Sequence, residues 1–323
     1  MDIEKKPFPP VALVVIAVLL WSTGGLFIKL TTLDAYQVTF FRSLLAGITV
    51  LIVTRKNGLR IDAFGIMVSV IYATLLFLFV WATKHTTAAN AIFLQYTAPI
   101  YILIFAPFLI GEKFHWRDLI TIIFCIAGMS LFFVGKLEIT DYQGNLAALG
   151  SGIFLGLYIM LLRHPRVVGG RHSAARGRSE PEERTTGASL SVDNRRPPTA
   201  PLNPVITVIY GNFLLALVTL PSGIAAFPTM TLNDTAAVVF LGVFQIGIAY
   251  ILFIKGVTGG TRPLDASIIG FIEPLLNPVW VFLFVGEQPS NWAILGGAII
   301  IATVVVHTLV QYRSQNVESL RKT

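Results

Sequence analysis

The sequence predicts an all-α polytopic membrane protein, with ten transmembrane helices arranged as two inverted five-helix repeats. Three observations predict it. Only 13% of the 323 residues are charged and 54% are hydrophobic, against about 25% charged in soluble domains, and the mean hydropathy is +0.74. Apolar runs recur at close to the roughly 20 residues that cross a bilayer. Two stretches far apart in the chain also repeat each other at a constant offset.

Taken in order, the predicted spans are 11–31, 36–54, 63–83, 88–109, 117–135, 144–162, 204–223, 233–254, 265–285 and 291–311. Most connections are short, which makes sequential helices neighbours in a bundle. The first span follows Lys5 and Lys6, is long for a signal-peptide core and lacks an A-x-A-like site after it, so it reads as a retained helix. An even number of spans puts both termini on one side. With the termini inside, 20 of the 24 lysines and arginines are cytoplasmic. Lys29, Lys84 and Lys136 lie outside and Arg42 lies within the second span. The positive-inside rule therefore places residues 1–10 and 312–323 in the cytoplasm. The expected location is a plasma membrane, the inner membrane in a bacterium. The basic excess of +7 is read as topology rather than as a nucleic-acid footprint.

The first repeat is expected at 11–135 and the second at 144–311. Segment 164–203 interrupts the second. It carries seven arginines, five prolines and no aromatic residue, too little apolar surface to offset ordering entropy. It is expected to be a disordered cytoplasmic linker, with an arm that binds a partner or anionic lipid as the other reading.

The repeat is clearest between AIFLQYTAPIYILIFAPFLIGE (91–112) and ASIIGFIEPLLNPVWVFLFVGE (266–287). Ala91 matches Ala266, Pro99 matches Pro274, and Gly111-Glu112 matches Gly286-Glu287, all at an offset of 175. LLWSTGGLFIK (19–29) lies over IFLGLYIMLLR (153–163) at an offset of 134, and the insert accounts for 40 of the 41 residues between the two offsets. Five is odd, so a tandem copy enters the membrane in the opposite sense. Inverted repeats are typical of secondary transporters, whose substrate sites lie near the midplane where interrupted helices of the two halves meet.

The ten spans, the doubled P-x(11)-G-E, LLWSTGGLFIK in helix 1 and TFFRSLLAG in helix 2 resemble the drug/metabolite transporter superfamily, and within it the EamA-type ten-helix exporters. The resemblance covers the chain apart from 164–203. It implies a carrier that exports small polar metabolites, often amino acids, across the plasma membrane, and it does not name a substrate.

Within GFIEPLLNPVW (270–280), Glu273 should lie about 12 Å into the hydrocarbon, where a charge costs at least about 2.5–3.5 kcal/mol. Gly270, Glu273, Asn277 and Trp280 form one helical stripe. Glu273 either binds a substrate amine or carries a coupling proton, or it serves backbone groups freed by Pro274 and Pro278. Pro99, Pro274 and Pro278 are expected hinges that open a cavity at the repeat interface, although proline is common in membrane helices in any case. Further candidate substrate ligands are Trp21, Ser22, Tyr72, Gln95, Tyr158, Gln245 and Tyr250. Plain packing is the competing reading for the aromatics, and interhelical hydrogen bonding for the two glutamines. Arg42 reads as an anchor that snorkels outward or pairs with Asp34. Glu112 and Glu287 read as structural or gate-locking boundary carboxylates. Gly24-Gly25, Gly150-x-Gly152 with Gly156, and Gly296-Gly297 read as close helix contacts.

Enzyme chemistry finds no motif. The five histidines are scattered, without H-E-x-x-H, and Ser130 stands where a P-loop before Gly135-Lys136 needs glycine. No cofactor or metal is expected. The expected partners are a small-molecule substrate and membrane lipids, with no nucleic acid; protons join them where transport is coupled through Glu273, and uncoupled facilitated diffusion is the other reading. The sequence therefore predicts a secondary-active exporter working by alternating access. A nucleotide-sugar or other organellar metabolite antiporter is the second carrier reading, and a channel or an intramembrane enzyme stands as a different class.

Overall fold

The computed structural model describes residues 8–55, 59–131, 142–168, 202–285 and 291–320. Among these residues all regular structure is helical. The elements are α1 (Pro10–Trp21), α2 (Gly24–Leu30), α3 (Ala35–Thr54), α4 (Ala63–His85), α5 (Ala88–Gln95), α6 (Ala98–Leu109), α7 (Trp116–Leu131) and α8 (Tyr142–Leu161). After the insert come α9 (Pro204–Val218), α10 (Leu220–Ala226), α11 (Leu232–Phe240), a π-helical segment (Leu241–Ile248), α12 (Ala249–Thr258), α13 (Pro263–Ile269), α14 (Ile272–Val285) and α15 (Asn291–Leu320).

Local chemistry starts these helices where they start. Asp34 accepts from the Gln37 backbone N–H while Gln37 accepts from that of Asp34, a closed capping box on α3. Asp62 caps α4, Thr87 caps α5 and Asn203 caps α9. Proline opens α1, α9, α10 and α13, where its missing N–H costs nothing.

Seven helical stretches of the described residues are long and apolar enough to cross a membrane, and the pair α9–α10, bent by 65°, makes an eighth if it is one span. The expected span at 117–135 has 16 helical residues described, and that at 265–285 is broken into α13 and α14. The chain is a multi-pass membrane protein, and its exterior fits that solvent. Phe108, Leu217, Leu283 and Val306 are all more than half exposed, a distribution that hydrocarbon tolerates and water does not.

The core lies where the two ends of the chain interleave. α1 packs on α12 and α14, α3 on α9 and the π segment, α4 on α8 and α9, and α7 on α15. Three helices are interrupted there. α1 and α2 part at Ser22-Thr23, α5 and α6 at Tyr96-Thr97, and α13 and α14 at Gly270-Phe271. The last two breaks are 175 residues apart from Tyr96 to Phe271, the offset of the sequence repeat. Pro99 stands in the first turn after one break and Pro274 in the first turn after the other. Most of the insert, 169–201, lies outside the described residues. Its two ends meet, since the Leu202 N–H donates to the Arg166 carbonyl at 3.1 Å.

Candidate substrate cavity

A break in a helix leaves carbonyls without donors and space without side chains. Here the breaks converge on a small, partly open cavity. Its polar lining comes from Trp21 at the end of α1, Arg42 on α3, Gln95 and Tyr96 at the end of α5, Gln245 on the π segment, and Glu273 in the first turn of α14. Tyr250, Leu75, Leu76, Phe79, Leu155 and Ile246 complete the wall.

Glu273 is 5% exposed. Its carboxylate accepts a hydrogen bond from the Tyr96 hydroxyl at 2.7 Å. The backbone carbonyl that Pro274 leaves without a helical donor is that of Gly270, and the Glu273 backbone N–H donates to it at 2.8 Å. The side chain is thus turned into the cavity while its own main chain serves the proline break. The Tyr96 ring reaches this position because residue 270 is glycine. A Cβ there would stand 2.8 Å from Tyr96 Cε1 and 3.2 Å from its hydroxyl, both too close for an alanine to fit without displacing the ring. The Tyr96 ring also packs on Phe271 at 5.3 Å.

The other expected site residues fall into three groups. Trp21, Gln95, Gln245 and Tyr250 line the cavity with Glu273. The Gln95 side-chain amide also donates to Ser151 at 2.7 Å. Tyr72 and Tyr158 are fully buried behind it, with ring centroids 4.8 and 6.1 Å from that of Tyr250, and Tyr72 accepts from Asn212 at 3.0 Å. Ser22 is buried at the α1–α2 break, where it accepts from Trp280 Nε1 at 3.0 Å and donates to the Leu19 carbonyl. That bond ties α14 to the broken first helix. The side chains of Asn277 and Pro278, and Glu287, lie outside the described residues.

Two residues depart from the sequence reading. Arg42 does not snorkel and does not pair with Asp34. It is 2% exposed and lines the cavity, while Asp34 is exposed and engaged in its capping box. Tyr96 is a cavity residue outside the sequence-derived candidates. The residue before Thr97-Ala98-Pro99 sits at the helix break, and that position was the available signal.

At one end of the bundle a buried ionic cluster joins the two parts of the chain. Arg262, just before α13, donates to Asp118 of α7 at 2.8 Å and lies 3.4 Å from Asp265. Asp265 is 2.9 Å from His307 Nε2 on α15. Burial works against the Arg262 charge, but Asp265 and Asp118 outweigh it and hold its pKa above the ordinary arginine value. Glu112 borders the same cluster, and burial raises its carboxyl above the usual range although Arg262 pulls the other way. At another end, Asp234 accepts from the Thr32 backbone N–H at 2.7 Å and its hydroxyl at 2.9 Å, and Lys84 donates to the Thr31 carbonyl at 3.1 Å.

Apolar helices that part around a buried polar cavity define a multi-pass transporter-like architecture. The chain belongs to the EamA-like transporter family, whose model matches residues 9–134 and 199–309, and it is a membrane transporter. It is 24% identical over 319 residues to a protein of Archaeoglobus fulgidus named as an uncharacterized transporter, covering 93% of this chain and 98% of that one. It is 28% identical over 184 residues to human solute carrier family 35 member G1, covering 50% of each. It is 22% identical over 165 residues to the pseudopaline exporter CntI of Pseudomonas aeruginosa, covering 48% of this chain and 58% of that one. A solved crystal structure superposes with a TM-score of 0.67 at 19% identity, covering 93% of this chain and 97% of that chain; the likeness is one of fold.

Proposed function

We propose that this transporter is a secondary-active exporter of a small polar metabolite, an amino acid or a related compound, working by alternating access around the cavity at Glu273. The observation that carries this reading is the Tyr96–Glu273 hydrogen bond. It joins the break in α5–α6 to the break in α13–α14, and interrupted helices at matching repeat positions are where inverted-repeat carriers hold substrate. A carboxylate in such a place has a task open to it that a packed core would not offer: it takes a substrate ammonium or a coupling proton, and Tyr96 holds it when neither is bound. Pro99, Pro274 and Pro278 act as the hinges. Both termini face the cytoplasm in this reading, and the membrane is the plasma membrane. The naming of one relative as a pseudopaline exporter agrees with outward transport of a metabolite.

The test is counterflow in proteoliposomes loaded with unlabelled amino acids. Saturable uptake of at least one labelled amino acid supports the exporter. Absence of exchange for the whole panel contradicts it and redirects the search to nucleotide sugars and other metabolites.

A further inference from the structure

Among the described residues, the buried arginine of the cavity finds no partner for two of its three nitrogens. Arg42 lies on α3, 2% exposed, and among the described residues no acceptor meets its Nε or Nη1. A guanidinium has five N–H donors, and leaving them unmet in a buried site is costly. Among the described residues, Trp21 Nε1 on the same cavity is a second buried donor without an acceptor, and Gln245 Oε1 is a buried acceptor without a donor. Glu273, the cavity's carboxylate, is engaged by Tyr96 and is not within ion-pairing distance of Arg42 among the described residues. The cavity therefore holds one cation with unmet donors and one anion, which attract each other across it without a direct ion pair.

We propose that Arg42, assisted by the Trp21 indole N–H, is the receptor for a carboxylate of the transported solute, so that the substrate class is a zwitterion whose carboxylate sits on Arg42 and whose ammonium lies toward Glu273. This rests on the transporter using the Glu273 cavity as its substrate site. A guanidinium matches a carboxylate through two parallel hydrogen bonds. A zwitterion brings no net charge, so the cavity with Arg42 and Glu273 stays near neutrality. A phosphate would add further negative charge next to Glu273.

The experiment compares counterflow of labelled leucine and threonine with that of leucinamide and threoninamide, which keep the amine and lack the carboxylate. Wild type is expected to favour the acids over the amides by about 10- to 100-fold in kcat/KM, the loss that accompanies an unmet charged hydrogen-bonding group. Arg42→Gln is expected to abolish that preference by lowering transport of the acids while leaving the amides within about twofold. Arg42→Lys keeps the charge and loses the fork, so its expected signature is a raised KM for the acids with kcat retained, and it serves where Arg42→Gln does not fold. Equal acid preference in wild type and in both variants overturns the assignment while leaving the exporter reading intact. Amides carried as well as acids by wild type overturns it too. Failure of wild type to exchange any zwitterion overturns both this assignment and the reading beneath it.

Discussion

The Tyr96 hydroxyl and the Glu273 carboxylate, 177 residues apart in the chain, meet at 2.7 Å. Each stands at the interruption of a helix, and the two interruptions occupy matching positions of the sequence repeat. The contact couples the only cavity-facing carboxylate among the described lining residues to the opposite break, so whatever alters one alters the other.

Tyr96→Phe keeps the ring packing on Phe271 and removes the hydroxyl. A hydrogen bond to a charged group contributes about 1.5–3 kcal/mol. The variant is expected to melt several degrees lower in detergent, with the difference read by thermal scanning at equal protein and lipid content. An unchanged melting temperature would mean that the contact contributes nothing to the resting state.

Gly270→Ala should reproduce the effect from the other side. The added Cβ would lie 2.8 Å from both Tyr96 Cε1 and the Ser267 carbonyl oxygen, so the ring must shift relative to Glu273, which is expected to weaken their hydrogen bond. Combined with Tyr96→Phe, the second substitution is expected to add less than its separate effect, since both act on one bond. A double-mutant cycle on melting temperature and on exchange rate measures that coupling.

The ionic cluster at Asp118 and Arg262 gives a separate expectation. Asp118 is 1% exposed and Arg262 bonds to it at 2.8 Å. Arg262→Gln leaves the buried Asp118 with only the more distant His115 Nδ1, at 3.8 Å, as a basic neighbour among the described residues, and destabilisation by about 3–5 kcal/mol is expected. Asp118→Asn with Arg262→Gln should recover part of it. A conserved loss in the double variant would show that the two do not act as a pair.

Glu112 supplies a pH dependence. Burial raises its carboxyl in the folded protein, so the folded state binds a proton more tightly than the unfolded chain. Stability from this group is then greatest in acid and falls as pH rises from the ordinary glutamate range through the raised folded value. Glu112→Gln is expected to flatten that decline and to match or exceed wild type at neutral pH. Melting temperatures of both proteins across pH 4 to 8 check the sign, and a steeper decline in the variant would reverse it.

Much of this was legible in the chain. Composition and run lengths sufficed for a multi-pass helical protein, because hydrocarbon admits few other backbones. Pro99 and Pro274, matched at one offset, pointed to the two helix breaks. Glu273 marked the cavity because its burial in an apolar run asks for a reason. Tyr96 escaped notice because a tyrosine in an apolar helix reads as core, and its partner comes from a break far along the chain. Arg42 was read toward Asp34, although Asp34 and Gln37 stand in capping-box spacing and so already had a use for each other. The π segment that carries Gln245 leaves no mark in the hydropathy pattern, since an added residue per turn is a backbone adjustment to packing. The Asp118–Arg262 pair depends on tertiary neighbours that local periodicity does not specify.

The central claim is that Glu273 is a working group of a substrate cavity between the two broken helices. Its most direct test is exchange of labelled amino acids into proteoliposomes, with and without a pH gradient, for wild type beside Glu273→Gln. Wild type is expected to show saturable exchange that the gradient drives, and Glu273→Gln to lose that drive. Wild-type exchange that is carried unchanged by Glu273→Gln, at every gradient, would contradict it.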